Sequence, residues 1–295
     1  MNTRVLIVGG GIGGLAAALA CARAGCDVRL FERAAAFGEV GAGIQIGPNV
    51  VHVLHGLGLE RPLNLVAAFP ERLQVRNAVT GRELGVLPTK ERSIRLYGAP
   101  YATIHRADLH ALLLQAVQRD GAARLALGSW LASYSEGERL VSLETTEGLT
   151  VEGDVLVGAD GLWSRVREIL LNDGAPRVSG HLAYRAMLPQ QDLPIHLRSQ
   201  QVTAWLGPRL HVVQYPVRGG DWLNVVAIVH GEVGGDLHGW DHSANAVDLQ
   251  REMGSTCVAL QDLIAAVPSW RLWALCDRPP MKGPWQQAAG RVALL

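Results

Sequence analysis

The most constraining feature of the sequence is a run of five glycines in six positions, Gly9-Gly10-Gly11-Ile12-Gly13-Gly14, set between two apolar segments. Upstream, Arg4 to Val8 (RVLIV) is a short β-branched run of strand character. Downstream, an alanine- and leucine-rich stretch to about Ala24 has helical character. Strand, tight turn and helix follow from that order. Gly9, Gly11 and Gly14 meet the G-x-G-x-x-G spacing: the first permits the turn, the second lets backbone approach a pyrophosphate, and the third lets helix pack on strand. Amides at the helix N-terminus then face the phosphates, with Gly13 a further candidate contact. A second strand, Asp27 to Phe31, delivers Glu32 at its C-terminal end, where a carboxylate can accept ribose hydroxyls. Glu32 and the adjacent Arg33 are therefore candidate cofactor residues. Glycines alone would make only a tight turn; between two strands and with a terminal acid they predict a dinucleotide site, for NAD or for FAD.

Bulk properties narrow the classes further. At 295 residues and 48% hydrophobic content the chain can bury a substantial core, as one large domain or two intimate ones. Lysine plus arginine (27) balances aspartate plus glutamate (27), so no overall field attracts nucleic acid or anionic lipid. Cys21, Cys26, Cys257 and Cys276 contain no C-x-x-C pair, which argues against a disulfide scaffold or a zinc site and fits a reducing cytoplasm. The uncharged run Val5 to Ala22 ends in a signal-like Ala-Cys-Ala, but its glycines and the single preceding basic residue argue against secretion or a membrane span. No H-E-x-x-H or comparable metal spacing occurs, so no metal is expected. A homodimer is left open.

Three further segments separate FAD from NAD. After Glu32 the chain does not continue in βαβ units but enters ERAAAFGEVGAGIQIGPN, whose Gly41-Ala42-Gly43-Ile44 and Gly47-Pro48-Asn49 form a loop that backbone must use for close approach. His105-Arg106-Ala107-Asp108-Leu109 opens an amphipathic helix with Leu109, Leu112, Leu113, Ala116 and Val117 on one face. Val155 to Arg167 (VLVGADGLWSRVR) is an apolar strand running into Asp160-Gly161 and a helix bearing Ser164 and Arg167. On these segments the sequence resembles the single-component flavoprotein aromatic hydroxylases, the group that includes salicylate and 3-hydroxybenzoate hydroxylases. LYGAP (Leu96 to Pro100), AYR (Ala183 to Arg185) and the stretch Leu206 to Asn224 look nearest to the 3-hydroxybenzoate 6-hydroxylases.

The resemblance implies an α/β chain, α+β overall. It has a Rossmann-like FAD-binding domain and an inserted mixed or antiparallel sheet for substrate, as in para-hydroxybenzoate hydroxylase. Residues 1–75 and 100–178, with a final strand at 290–295, would form the FAD domain; 76–99 and 179–289 would form the substrate domain. Arg106, Gly43, Asp160 and Gly161 inherit FAD contacts, and the D-G-x-x-S-x-x-R segment is also implicated in passage of NADH or NADPH. Without the resemblance, Arg106 reads as a solvated or capping residue, and Asp160-Gly161 as an ordinary turn.

Two groups of strands follow from alternation: Leu131 to Val157, with turns at Glu136-Gly137-Glu138 and Glu147-Gly148, and about Gly180 to Glu232. In the second, alternation puts His211, Val213 and Tyr215 on one strand face and Val212 and Gln214 on the other. On residues alone a structural histidine beside a core tyrosine is an equally natural reading. The resemblance makes His211 the residue that meets a substrate phenol, with Tyr215 beside it. A histidine titrating near ~6.5 can accept that proton, and phenolate is the richer nucleophile toward a C4a-hydroperoxyflavin. His105, His52 and His55 are weaker candidates for the base.

The activity implied is hydroxylation of a small phenolic acid with FAD, NADH or NADPH and molecular oxygen. The alternatives are a non-catalytic dinucleotide-binding relic and a flavin dehydrogenase that inserts no oxygen. In the resembled family the closing strand, Arg291 to Leu295, leads into a second flavin motif, GDAAHP. That pattern predicts a parent of about 400 residues.

Overall fold

A computed structural model of the protein describes residues 2–38, 41–121, 123–231, 242–244 and 246–295. Glu39 and Val40 of the glycine-rich segment, and Glu232 at the end of the second strand group, lie outside the described residues. The chain divides into two compact units. One comprises Met1–Val40, Leu109–Arg177 and Cys276–Leu295; the other comprises Gly41–Asp108 and Val178–Leu275.

In the first unit, the described residues form a six-stranded sheet in the order Ala288–Ala289, Val292–Leu294, Val155–Gly158, Arg4–Val8, Asp27–Phe31, Ala123–Ala126. Arg4–Val8 lies parallel to both Val155–Gly158 and Asp27–Phe31. A strand covered on both faces has no polar side to show, which is why RVLIV reads as a continuous apolar run. Leu6 and Ile7 are accordingly buried. The helix Ile12–Arg23 makes the crossover, burying Leu15, Ala18 and Leu19. The helix Arg106–Asp120 buries Leu109, Leu112, Leu113, Ala116 and Val117, the face its period predicts.

Leu131–Glu136, Val141–Thr145 and Thr150–Gly153 form a separate three-stranded antiparallel sheet. Its reversals fall at the expected glycine turns, with Gly148 at φ 82°. Val141, Leu143 and Val151 share a core with Leu6, Val8 and Leu156.

The second unit is built on an eight-stranded mixed sheet among the described residues. Its order is His242–Ala244, Trp270–Asp277, Arg177–Pro189, Trp222–His230, Leu210–Val217, Val202–Gly207, Arg72–Asn77, Glu83–Pro88. All described pairings are antiparallel except Val202–Gly207 with Arg72–Asn77. Leu182, Tyr184, Val212, Val225 and Ala227 point to one face, where they form a core with Leu249, Leu260 and Leu263 of the helices Ala246–Met253 and Val258–Ala265. The opposite face is the one that concerns function.

Compared with the expected bounds, residues 41–75 and 100–108 belong with the large sheet, and 276–289 with the nucleotide-type sheet. The reason is pairing. Gly43–Ile46 joins Ala102–His105 in a two-stranded antiparallel ribbon, and the Thr103 hydroxyl donates to the Pro216 carbonyl of the large sheet. Among the described residues, no helix is long and apolar enough to cross a membrane.

Candidate functional site

The glycine turn of the first unit is dictated by backbone crowding. Gly9 sits at φ 108°, and a Cβ there would lie 2.3 Å from the Ala159 carbonyl oxygen; a Cβ on Gly14 would lie 1.8 Å from the Gly9 oxygen. No side chain can be accommodated at either position without moving main chain. Gly11 and Gly13 differ: a Cβ on either meets nothing within 4 Å. These two therefore border open space in front of the helix. Gly11 is that helix's N-cap with no side-chain cap, and its first turn carries no acid, so the terminal amides keep their capacity for an anion.

Glu32 ties this turn to the second strand. Its Oε2 accepts from the Gly10 amide at 2.6 Å and its Oε1 from the Ala34 amide at 2.8 Å. Each oxygen retains a further lone pair for a hydroxyl. Arg33 is exposed, its guanidinium 5.3 Å over the Trp130 ring. One contributor was not legible beforehand: His110, 5% exposed, donates from Nε2 to the Gly10 carbonyl at 2.8 Å. Only its helical period hinted at burial.

Asp160 proves to be a helix-capping carboxylate. It accepts from the Ser164 hydroxyl at 2.5 Å and from the Arg165 and Val166 amides at 2.7 and 3.1 Å, while Ser164 Oγ accepts from the Arg167 amide. Gly161, at φ 75°, supplies the left-handed turn between them. Arg167 is drawn to Asp173 and to the Pro279 carbonyl. Asp173 also faces Arg278, and the Arg167 hydrogen bond holds its carboxyl below the ordinary range.

In the second unit the open face of the large sheet gathers the remaining candidates. His211, Val213 and Tyr215 share that face, and Val213 and Tyr215 pack with Val202, Val217, Tyr101 and Met187. Gln214, on the other side, accepts from Trp205 Nε1. His211 and Tyr215 stand about 13 Å apart along the strand, four rises of about 3.3 Å.

Gly43 lies directly against this face. Its amide donates to Asn224 Oδ1 at 2.7 Å, and a Cβ on it would come within 2.6 Å of the Tyr215 ring. Asn224 is fully buried, and its Nδ2 has no partner among the described residues. The Tyr101 hydroxyl donates to Gln45 Oε1. Arg106 follows Ala42 across the ribbon, its amide donating to the Ala42 carbonyl, and its charge bears on both Tyr215 and Arg185.

Electrostatics distinguish the two candidate side chains. Burial, then the neighbouring charge of His181, pushes the half-buried His211 imidazole below its ordinary value, favouring the neutral base. Burial pushes the Tyr215 phenol well above its ordinary value, and that of Tyr101 up to about 12, so both remain hydrogen-bond donors. The other histidines have different settings. His105 is buried against Asp108 (3.4 Å) and Arg218 (3.3 Å), and His52 and His55 lie on the helix Pro48–Gly56. Among the described residues, no group of three metal-ligating side chains converges.

A parallel, Rossmann-type sheet with a bare glycine turn in one unit, and a large mixed sheet that gathers His211 and Tyr215 on one face in the other, are the features of a dinucleotide-binding enzyme of the flavoprotein type. Residues 2–206 match the FAD binding domain family. The chain is 37% identical to 3-hydroxybenzoate 6-hydroxylase 1 of Aquipseudomonas alcaligenes, over 100% of this chain and 74% of that protein. It is 38% identical to 3-hydroxybenzoate 6-hydroxylase of Polaromonas naphthalenivorans (strain CJ2), over 99% and 71%. Among solved structures it superposes on a salicylate hydroxylase substrate complex with a TM-score of 0.82 at 26% identity, covering 100% of this chain and 72% of that one. The chain belongs to the FAD-dependent aromatic hydroxylases, a family of flavoprotein monooxygenases. FAD fits the residues present, because Gly11 and Gly13 leave the space before the helix N-terminus unfilled.

Proposed function

We propose that this protein hydroxylates a small phenolic aromatic acid of the 3-hydroxybenzoate or salicylate type, with molecular oxygen and with NADH or NADPH as electron source. When bound, FAD supplies the redox and oxygen chemistry. We assign its contacts to Gly9, Gly11, Gly13, Gly14, Glu32, Arg33, Gly43, Arg106, Asp160 and Gly161. No disulfide joins the cysteines among the described residues, in keeping with action in a reducing cytoplasm.

The observation that carries the reading is the placement of His211 and Tyr215 on one face of the strand Leu210–Val217, with burial shifting each toward its uncharged form. His211, kept uncharged by burial, takes the phenol proton at a ring nitrogen, which raises electron density on the aromatic ring. Tyr215 donates its hydroxyl hydrogen to orient the substrate, and the valines around it exclude water. The test is turnover of 3-hydroxybenzoate or salicylate under labelled dioxygen, with mass spectrometry of the product. One labelled oxygen atom is expected in the ring product; product lacking the label would reject hydroxylation.

A further inference from the structure

The strand register of the large sheet places one more charged residue among the candidates. Three rows cross its open face: Ala183, Ile228 and His211; Arg185, Val226 and Val213; Met187, Asn224 and Tyr215. Paired residues on neighbouring antiparallel strands point to the same side. Arg185 therefore stands in the middle row, between that of His211 and that of Tyr215. It lies roughly 10 Å from Val213, two inter-strand steps of about 4.8 Å.

Its surroundings are unusual for a cation. The guanidinium lies 4.6 Å over the ring of Trp273, which is 5% exposed. Its Nε is shielded from solvent and has no hydrogen-bond partner among the described residues. Ala183 and Met187 flank it along the strand and Val226 across it. Burial lowers its pKa; Tyr215 acts against that shift, and the charge of Arg106 adds to it. A half-buried cation without a counter-charge is costly. A guanidinium stacked on an indole keeps its N–H edge free for two parallel bonds to a carboxylate.

We propose that Arg185 is the receptor for the carboxylate of the aromatic substrate, holding the acid group in the middle row so that the ring hydroxyl lies toward His211. This deepens the function proposed above and rests on it. The substrate class is thereby narrowed to anionic phenols. A neutral phenol of the same shape leaves the Arg185 charge uncompensated and binds weakly.

The test compares the FAD-loaded wild type with Arg185→Gln and Arg185→Lys, measuring equilibrium binding of 3-hydroxybenzoate and of 3-hydroxybenzyl alcohol by calorimetry and by quenching of tryptophan fluorescence. For Arg185→Gln, affinity for the acid is expected to fall about 10- to 100-fold, the worth of a charge-assisted bidentate contact. Affinity for the alcohol should move by less than about twofold, and Arg185→Lys should recover part of the loss, since it keeps the charge without the fork. Thermal stability of the ligand-free Gln variant should match or exceed wild type, because an uncompensated charge is removed. Equal weakening of both ligands, no weakening of either, or loss of FAD with acid selectivity intact would each overturn the proposal. So would a wild type that hydroxylates yet binds acid no better than alcohol. Unlabelled product from a wild type that does prefer the acid would instead overturn the hydroxylase reading and leave the carboxylate receptor standing.

Discussion

The glycine turn and the open face of the large sheet solve opposite problems. At the turn, main chain is packed so tightly that Gly9 and Gly14 exclude any side chain, and the Gly10 amide and carbonyl are met by Glu32 and His110. On the sheet face, polar groups outnumber their partners: Asn224 Nδ2 and Arg185 Nε are buried and unmet among the described residues. A site made of backbone is complete before its ligand arrives. A site made of strand side chains stays unsatisfied until the ligand completes it.

That contrast can be broken most forcefully at the turn. Gly14→Ala forces a Cβ onto the Gly9 carbonyl, at a cost of about 3 kcal/mol or more. We expect little folded, FAD-loaded protein, read by the flavin absorbance of the purified chain and by thermal melting. Gly13→Ala, which meets open space, is the matching control: the ligand-free melting temperature should hold while FAD affinity falls.

The next largest effect lies on the sheet. Replacing His211 by Asn should lower kcat/KM by about 10²–10⁴-fold, the range of general-base catalysis, with FAD binding unchanged. Because the folded pKa of His211 is depressed, the neutral base persists to lower pH than an ordinary histidine would allow. The wild-type acid limb of kcat/KM should then have its midpoint below ~6.5, and the Asn variant should lack it. The same depression means that any stability contributed by neutral His211 is present above ~6.5 and lost as pH falls through its folded pKa.

Tyr215→Phe removes one donor and should raise KM by about 3- to 10-fold, with kcat less affected. An equal fall in kcat and kcat/KM, with KM unchanged, would mean that the hydroxyl acts on the transition state. The smallest change is Ser164→Ala at the cap of Arg165–Leu171, expected to cost about 1 kcal/mol in denaturant melts. A loss of FAD affinity beyond that stability cost would show the segment to be more than a cap.

How much of this was legible in the sequence divides along the same line. Backbone sites leave compositional marks: the Gly9 to Gly14 run, its flanking strand and the Leu109 to Val117 period all fold as their patterns dictate. Alternation likewise gave the face shared by His211 and Tyr215. What alternation cannot give is register across strands, so Arg185, Asn224 and Trp273 carried no signal that they adjoin that face. His110 and Gly10 are 100 positions apart, and nothing local couples them. Asp160 shows a different limit. The recognised pattern suggested a cofactor contact and was silent on the capping role that the local hydrogen bonds add, one that Ser164, at the helix start, already hinted at. The expected bounds differed around residues 41–75 because a four-residue ribbon partner lay some sixty positions downstream.

The cross-strand register has a last consequence, for how such a protein changes its diet. Side chains on one face recur at roughly 6.7 Å along a strand and about 4.8 Å between strands. The open face is therefore a grid with a fixed mesh, comparable in pitch to an aromatic ring. Moving the anionic contact from Arg185 to the Ala183 or Met187 position would shift a substrate by one mesh, not by an arbitrary fraction. New specificities on this scaffold should appear as jumps between ring positions, each reachable by a pair of exchanges on one strand.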